Sequence, residues 1–267
     1  MKKIKEIAIT INKLNWKIKV LYLFLVVFFI FLINIAITPL HKMKELDSLV
    51  KSDSLFLKIY DSIYDYPEMR LLVKEKAYKE ALLKLAESDS IQLVINLVDS
   101  TVNLCIKGVM MHQTKVRSFD RNKIFKEMPL IQQVKLFSQP LPVHSLYATI
   151  VKEPIVVRHA PKDTLEAALN AWQPDTLIQN PAFLILSVEH GINLIFEQED
   201  NPTFHDKWKK FNFYNSLRIR SSIHAVSNFV RLKKQEYHPT ITIKMSVNDL
   251  RAIYRALPHN AFIVINI

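Results

Sequence analysis

Histidine and cysteine are the residue types best suited to binding a metal or acting as a nucleophile, and in this chain neither is well placed for it. No two of the nine histidines have the i, i+4 spacing that brings two imidazoles to one side of a helix. The single cysteine, Cys105, excludes an intramolecular disulfide and a zinc site with paired cysteines. It lies in an apolar run, so we expect it in the core. The sequence therefore predicts no metal site and no cofactor.

The chain contains only two glycines, Gly108 and Gly191. Phosphate-binding loops and the serine elbow of α/β-hydrolases need glycines at fixed, close spacings, so both kinds of site are excluded. Each glycine lies between two runs rich in strand-forming residues, where a tight turn demands positive φ. We predict two hairpins, the first between strands 101–106 and 109–116 and the second between strands 182–188 and 192–198.

Residues 20–38 are uncharged and nearly all apolar. About twenty helical residues span a hydrocarbon core about 30 Å thick, so this run predicts a transmembrane helix. A cleaved signal peptide is the alternative. Such a peptide usually has a shorter apolar run followed by small residues, whereas here Pro39-Leu40-His41-Lys42 follows. We therefore interpret the run as an uncleaved anchor.

The charges beside this run predict its orientation. Residues 1–19 carry six lysines and one glutamate, so five of the eleven net positive charges belong to this basic stub. Positive charge stays on the cytoplasmic side, which predicts a single-pass inner-membrane protein with its N-terminus inside and its C-terminal domain in the periplasm.

The remaining charge gives no sign of nucleic-acid binding. Residues 39–267 carry six net positive charges, and the richest basic region runs from residue 207 to residue 234. A nucleic-acid binder of this size would concentrate its basic residues with interleaved aromatics, and an exported domain meets little nucleic acid. We interpret the region as a solvated helical face, or as a surface for anionic envelope polymers or lipid headgroups.

The pattern of apolar residues predicts a helical stalk followed by an α+β domain. Residues 39–89 are interpreted as the stalk, because apolar residues recur at helical spacing over residues 69–87. From residue 90 to residue 267 an alternation of period two predicts a mostly antiparallel sheet. The predicted elements there are a half-buried strand over 91–98, the two hairpins, an edge strand over 154–158, a short helix over 163–169, two helices over 204–234, and a closing strand 240–245, helix 246–256 and strand 261–267.

The closing segment carries a resemblance to a known family. Ile243-Lys244-Met245-Ser246, then Asp249-Leu250-Arg251-Ala252-Ile253-Tyr254, then Phe262-Ile263-Val264-Ile265 resemble the strand, helix and strand that end L,D-transpeptidase catalytic domains of the YkuD type. The strands over residues 90–118 resemble the opening meander of that family. The resemblance implies the L,D-transpeptidase fold, a cell-envelope setting and a groove shaped for peptidoglycan stem peptides.

The same resemblance implies that the family's chemistry is lost. Where the family has Ser-His-Gly-Cys, this chain has Pro239-Thr240-Ile241-Thr242. Thr242 occupies the nucleophile position, and a hydroxyl is a poor nucleophile without a dedicated base. Ile241 replaces the glycine that lets backbone amides approach an oxyanion. Lys244 keeps the positive charge of the family's arginine.

The sequence therefore predicts a non-catalytic, membrane-anchored protein that binds peptidoglycan or an envelope partner. Residues proposed to bind anionic wall or partner groups are Arg218, Arg220, Lys233, Lys234, His238 and Lys244. One alternative is a divergent transpeptidase or hydrolase that uses Thr242 with His238 as its base. A second is a subunit of a larger envelope complex, in which the membrane helix makes the functional contacts.

Overall fold

A computed structural model describes residues 16–51, 67–150, 152, 181–199 and 203–267 of the chain. The predicted edge strand over 154–158 and the short helix over 163–169 lie outside these residues, as do most of the basic stub and the middle of the expected stalk.

The described residues form six α-helices and nine strands. The helices are α1 (Trp16–Lys51), α2 (Pro67–Ala86), α3 (Lys123–Glu127), α4 (Leu130–Phe137), α5 (Phe204–Val230) and α6 (Val247–Ala256). The strands are β1 (Gln92–Asn96), β2 (Thr101–Ile106), β3 (Val109–Lys115), β4 (Ser118–Arg121), β5 (Leu141–Ala148), β6 (Phe183–Val188), β7 (Ile192–Gln198), β8 (Thr240–Met245) and β9 (Phe262–Asn266).

All nine strands belong to one sheet, in the order β3-β2-β1-β9-β5-β6-β7-β8-β4. Two neighbouring pairs are parallel, β1 with β9 and β7 with β8, and the others are antiparallel. The predicted α+β class with a mostly antiparallel sheet is therefore confirmed. The β8-α6-β9 ending has the predicted order, and Ser246 caps α6 by accepting a hydrogen bond from the backbone N–H of Asp249.

Both predicted hairpins are present, with a glycine in each turn. Lys107 and Gly108 have φ of 48° and 78°, and His190 and Gly191 have φ of 58° and 67°. Two consecutive residues with positive φ match the right-handed twist of the flanking strands. This is the backbone conformation for which glycine has the lowest cost.

Helix α2 packs into the domain, so the expected stalk over residues 39–89 is wrong for residues 67–86. Ala81 and Leu85 are buried with Val94, Cys105 and Val264 of the sheet. At an earlier turn of α2, a second buried cluster joins the helix to α4. This apolar stripe needs a partner surface, and the sheet provides it. Cys105 is buried, as predicted.

Three further differences have a physical cause. Strand β1 is buried along its whole length rather than half-buried, because β2 and β9 flank it and α2 packs on Val94. Strand β5 was not predicted, since its region is rich in proline; Pro142 is its second residue and pairs with Phe262, the first residue of β9. The two helices expected over 204–234 are one helix, α5, because no proline or glycine interrupts that stretch.

Helix α1 contains the whole predicted transmembrane run. The helix continues through Pro39 without a break and ends at Lys51, beyond the apolar run, which ends at Thr38. Its 36 residues correspond to a length of about 54 Å. Among the described residues α1 alone is long and apolar enough to cross a membrane, which fits a single-pass membrane protein.

The chain divides into two compact units. One contains residues 16–47 and Ser216–Tyr237, and the other contains the described residues of 48–215 with His238–Ile267. The sheet, α2, α3, α4 and α6 belong to the second unit, here called the sheet unit. The first is called the α1 unit.

Candidate functional site

Strand β8 contains Thr242, the residue expected from the sequence at the nucleophile position of L,D-transpeptidases. Ile241, Ile243 and Met245 are fully buried on one side of the strand. Thr240, Thr242 and Lys244 alternate with them and are half-buried, because successive side chains of a strand point to opposite faces. The side chains of Thr242 and Lys244 therefore share the less buried face of the sheet.

Thr242 has one apolar and one acidic residue opposite it in the flanking strands. Ile195 of β7 and Asp120 of β4 are opposite Thr242 in the two flanking strands. A hydrogen bond from the Lys126 ammonium, at 3.0 Å, holds the pKa of the Asp120 carboxyl below its usual value. A carboxylate stabilised in this way is a weaker base than an ordinary aspartate. The Asp120 carboxylate is thus engaged by Lys126.

His238, the alternative base, lies before β8 and is exposed. Its Nδ1 lies 3.0 Å from the carbonyl oxygen of Gly191, which requires that nitrogen to be the donor. The separation of four residues between His238 and Thr242 corresponds to about 13 Å of extended chain. The structure thus places His238 at the β6–β7 turn and not beside Thr242.

A cavity of about 270 Å³ opens next to Lys244. Its lining residues come from β6, β7, β8, α5 and the residue after β7, and they are Phe183, Glu197, Gln198, Glu199, Asp206, Lys207, Lys210 and Lys244. All belong to the sheet unit. Three lysines face three carboxylates, so the formal charges of the lining cancel. Such a lining suits a ligand that carries both charge signs.

Glu197 is the most buried charged residue of this cavity, with 7% of its side chain exposed. The Lys210 ammonium lies 2.6 Å from its Oε2, and the Tyr214 hydroxyl donates a hydrogen bond to its Oε1. Lys210 and Tyr214 are four residues apart on α5, a spacing that puts both on one face of the helix. A buried carboxylate is tolerated when both of its oxygens have partners, as they do here.

The Tyr214 side chain stays protonated over a wide pH range. Burial raises the pKa of its phenol, and the hydrogen bond to Glu197 with the nearby carboxylate charge raises the pKa further. The neutral phenol is the form that can donate to the carboxylate. Tyr214 therefore holds Glu197 in place and is unsuited to acting as a base near neutral pH.

Stacked aromatic rings fix the first part of α5 on the sheet. The Phe213 ring lies 5.2 Å from that of Phe183 and 5.5 Å from that of Tyr147, and both pairs are nearly parallel. Such pairs contribute about 0.5–1.5 kcal/mol beyond the burial of their area. Because Phe183 also lines the cavity, these contacts set the distance between α5 and the sheet and thus the width of the cavity.

The rim of the cavity is held by hydrogen bonds. The Ser118 hydroxyl lies 3.4 and 3.5 Å from the two carboxylate oxygens of Glu199, and the Arg117 guanidinium donates to the Glu199 carbonyl. At the start of α5, Thr203 and Asp206 exchange hydrogen bonds, and the bonds from Thr203 lower the pKa of Asp206. These contacts fix the two acidic groups at the edge of the cavity.

The predicted binding residues are divided between the two units. Thr242, Lys244 and His238 belong to the sheet unit, whereas Arg218 and Arg220 lie on the later part of α5, in the α1 unit. Of the predicted residues, Lys244 alone lines the cavity. Glu197 was not among the predicted site residues, and it is buried because Lys210 and Tyr214 of α5 cover it.

Sequence reasoning missed Lys210 and Tyr214 as members of the site. Their four-residue spacing on a helix is visible in the sequence, but the carboxylate that they contact comes from another element. Over the described residues, no group of three or more His, Cys, Asp or Glu side chains is arranged to hold a metal ion. Comparisons with protein-family models, with curated proteins and with solved structures find no match for this chain.

Proposed function

We propose that this chain is a non-catalytic, membrane-anchored envelope protein that binds the stem peptides of peptidoglycan in the cavity beside Lys244. The observation that carries the proposal is the position of this cavity. Lys244 lines it, and Lys244 lies two residues beyond Thr242, which matches the nucleophile of the L,D-transpeptidases that this chain resembles. In this proposal the chain keeps the peptide-binding groove of that family and has lost the transpeptidase reaction.

The charges of the cavity support this choice of ligand. A stem peptide carries free carboxylates and, where it contains a diamino acid, a free ammonium group. The lysines Lys207, Lys210 and Lys244 offer donors for the carboxylates, and Glu199 and Asp206 offer acceptors for an ammonium. Charge-assisted hydrogen bonds of this kind are shorter and stronger than neutral ones.

The residues around Thr242 support binding rather than turnover. Its hydroxyl would need a base within hydrogen-bonding reach, and the two candidates are otherwise engaged, Asp120 by Lys126 and His238 by the Gly191 carbonyl. Cys105 offers no substitute, because burial raises the pKa of its thiol and the thiolate is the reactive form.

Localisation is part of the same proposal. We infer that α1 anchors the chain in the inner membrane with residues 1–19 in the cytoplasm, and that the sheet unit lies in the periplasm. The lysines of the stub support this orientation, since positive charge is retained on the cytoplasmic side. The wall would then be the polymer nearest to the cavity.

The test is co-sedimentation of the full chain, held in detergent micelles, with purified peptidoglycan sacculi. We expect more chain in the pellet than for an unrelated basic membrane protein, and we expect soluble stem peptide to release it. Retention no greater than that of the basic control would reject the proposal. New cross-links found by mass spectrometry after incubation with muropeptides, and abolished by Thr242→Ala, would instead show an enzyme.

A further inference from the structure

The later part of α5 carries an exposed apolar stripe. Ile219, Ile223, Val226 and Val230 recur at intervals of four, three and four residues, and each is at least half exposed. At about 100° per residue this spacing puts all four on one side of the helix. The stripe lies within the α1 unit, and an isolated row of exposed aliphatic side chains indicates a surface that contacts something apolar.

Basic residues surround this stripe. From Ser216 to Tyr237 the chain has one acidic residue, Glu236, and five lysines and arginines; the five are Arg218, Arg220, Arg231, Lys233 and Lys234. Arg218 and Arg220 lie about 100° to either side of the centre of the stripe. A helix with an apolar stripe and flanking Lys or Arg is typical of one that lies in the interface of an anionic bilayer. There the long basic side chains reach the phosphates while their stems cover apolar surface.

The turn that ends α5 exposes a further apolar side chain. Leu232 has a φ of 53°, which is costly for a residue with a branched side chain. This turn is held by a bond from the Lys233 N–H to the Asn228 carbonyl and by one from the Gln235 side chain to the Ala225 carbonyl. The Leu232 side chain is 93% exposed. The turn thus places an exposed leucine between basic residues, an arrangement that suits contact with the surface of an anionic bilayer.

The same unit contains the membrane helix, and the two helices touch. The rings of Phe31 and Phe229 meet edge to face, with centroids 5.2 Å apart. Phe31 lies seven residues before Thr38, the last residue of the apolar run, so the contact is about 10 Å inside that end of the run. Interfacial helices bury their apolar face to about 5–10 Å. The contact thus lies at the depth that an interfacial helix reaches.

We propose that the segment Ser216–Tyr237 lies on the surface of the anionic bilayer that α1 is suited to cross. The apolar stripe and Leu232 enter the boundary between headgroups and acyl chains, and the five basic residues contact lipid phosphates. A second copy of the chain is a poorer occupant, because pairing two such stripes would bring two sets of positive charges together. This assignment is independent of the ligand of the cavity.

The test uses the full chain in phospholipid vesicles with a fluorophore attached to an introduced cysteine. Val226→Cys places the label on the stripe, and Ser221→Cys places a matched label on the opposite, exposed side of the same helix. Cys105 is buried in the native protein, so wild-type chain treated with the same reagent gives the background. Circular dichroism of each variant verifies that the helices are retained.

In vesicles containing phosphatidylglycerol, we expect brominated acyl chains to quench the Val226→Cys label at least about twofold more than the Ser221→Cys label. Aqueous iodide should quench them in the reverse order. Arg218→Gln with Arg220→Gln should reduce the lipid quenching at position 226. Equal lipid quenching of the two labels would overturn the proposal. Protection of position 226 from iodide without quenching by lipid would also overturn it, since that result indicates a protein partner.

Discussion

At the scale of single residues, the Glu197 carboxylate organises the cavity. It is buried, it accepts from Lys210 and Tyr214, and it is opposite Lys244 in the neighbouring strand. Removing one partner of a buried charge leaves the desolvation cost uncompensated. The stability of this side of the sheet should therefore depend on the two α5 residues that contact Glu197.

Lys210→Ala leaves Glu197 with the Tyr214 hydroxyl as its remaining partner on α5. We expect a loss of roughly 1–3 kcal/mol in the free energy of unfolding, because a buried charged acceptor loses a donor. Urea unfolding of the full chain in mild detergent measures it. The matched control is Lys207→Ala, which also lines the cavity but lies at its exposed rim, and for which we expect a change within about 0.5 kcal/mol. Equal losses in the two variants would contradict this account.

Tyr214→Phe tests the raised pKa of the phenol through alkaline stability. In the folded chain the pKa of Tyr214 is above its usual value of 10.0, so above about pH 10 the unfolded chain has lost a proton that the folded chain keeps. The stability from this protonated phenol is full below that pH and falls as the pH rises, by at most about 1.4 kcal/mol per pH unit. Wild type should lose stability more steeply than Tyr214→Phe between pH 10 and 11. Parallel curves would show that the phenol is not protected.

At the scale of elements, local signals predict the pieces that depend on local sequence. The two hairpins and the β8-α6-β9 ending agree with the sequence, because positive-φ glycines, apolar alternation and a serine cap act within a few residues. Strand β5 was missed because the prolines of its region, Pro140 and Pro142, argue locally against a strand. The burial of Glu197 was missed because α5 produces it, and no local pattern reports which strand a helix will cover.

Ser246→Ala tests the cap of α6. The Ser246 hydroxyl accepts from the Asp249 N–H at 3.2 Å and donates to the Asp249 carboxylate at 2.7 Å. We expect the free energy of unfolding to fall by about 1 kcal/mol. Asn248→Ala in the same helical turn is the control, because Asn248 is exposed and lies inside the helix rather than at the cap. A loss no larger than that of the control would mean that the cap contributes nothing measurable.

Gly108→Ala tests the first hairpin turn, which has a φ of 78°. Left-handed backbone costs roughly 1–2 kcal/mol for an ordinary residue, and an added Cβ would lie 3.0 Å from the Cβ of Ala86. Gly108→Asn introduces the same Cβ, but asparagine tolerates this conformation better. Thermal unfolding should therefore rank wild type above the Asn variant, and the Asn variant above the Ala variant. A more stable Ala variant would contradict the assigned turn.

At the scale of the whole molecule, the chain combines a helix suited to crossing a membrane with a sheet unit that carries a charged cavity. The membrane helix was predictable because nineteen uncharged, nearly all apolar residues in a row are a strong signal. The division of α5 between two compact units was not predictable, since no proline or glycine interrupts the sequence of that helix. The predicted binding residues are therefore assigned to two surfaces, Lys244 to the cavity and Arg218 with Arg220 to the lipid-facing stripe.

The central claim is that the cavity beside Lys244 binds peptidoglycan, and a titration of the full chain with sacculi tests it most directly. Lys244→Gln removes a donor from the cavity, and Lys115→Gln removes one charge from an exposed position of β3. We expect the first variant to bind about tenfold more weakly than wild type, corresponding to about 1.4 kcal/mol, and the second to bind like wild type. Equal affinities of wild type and Lys244→Gln, with both variants folded, would contradict the account.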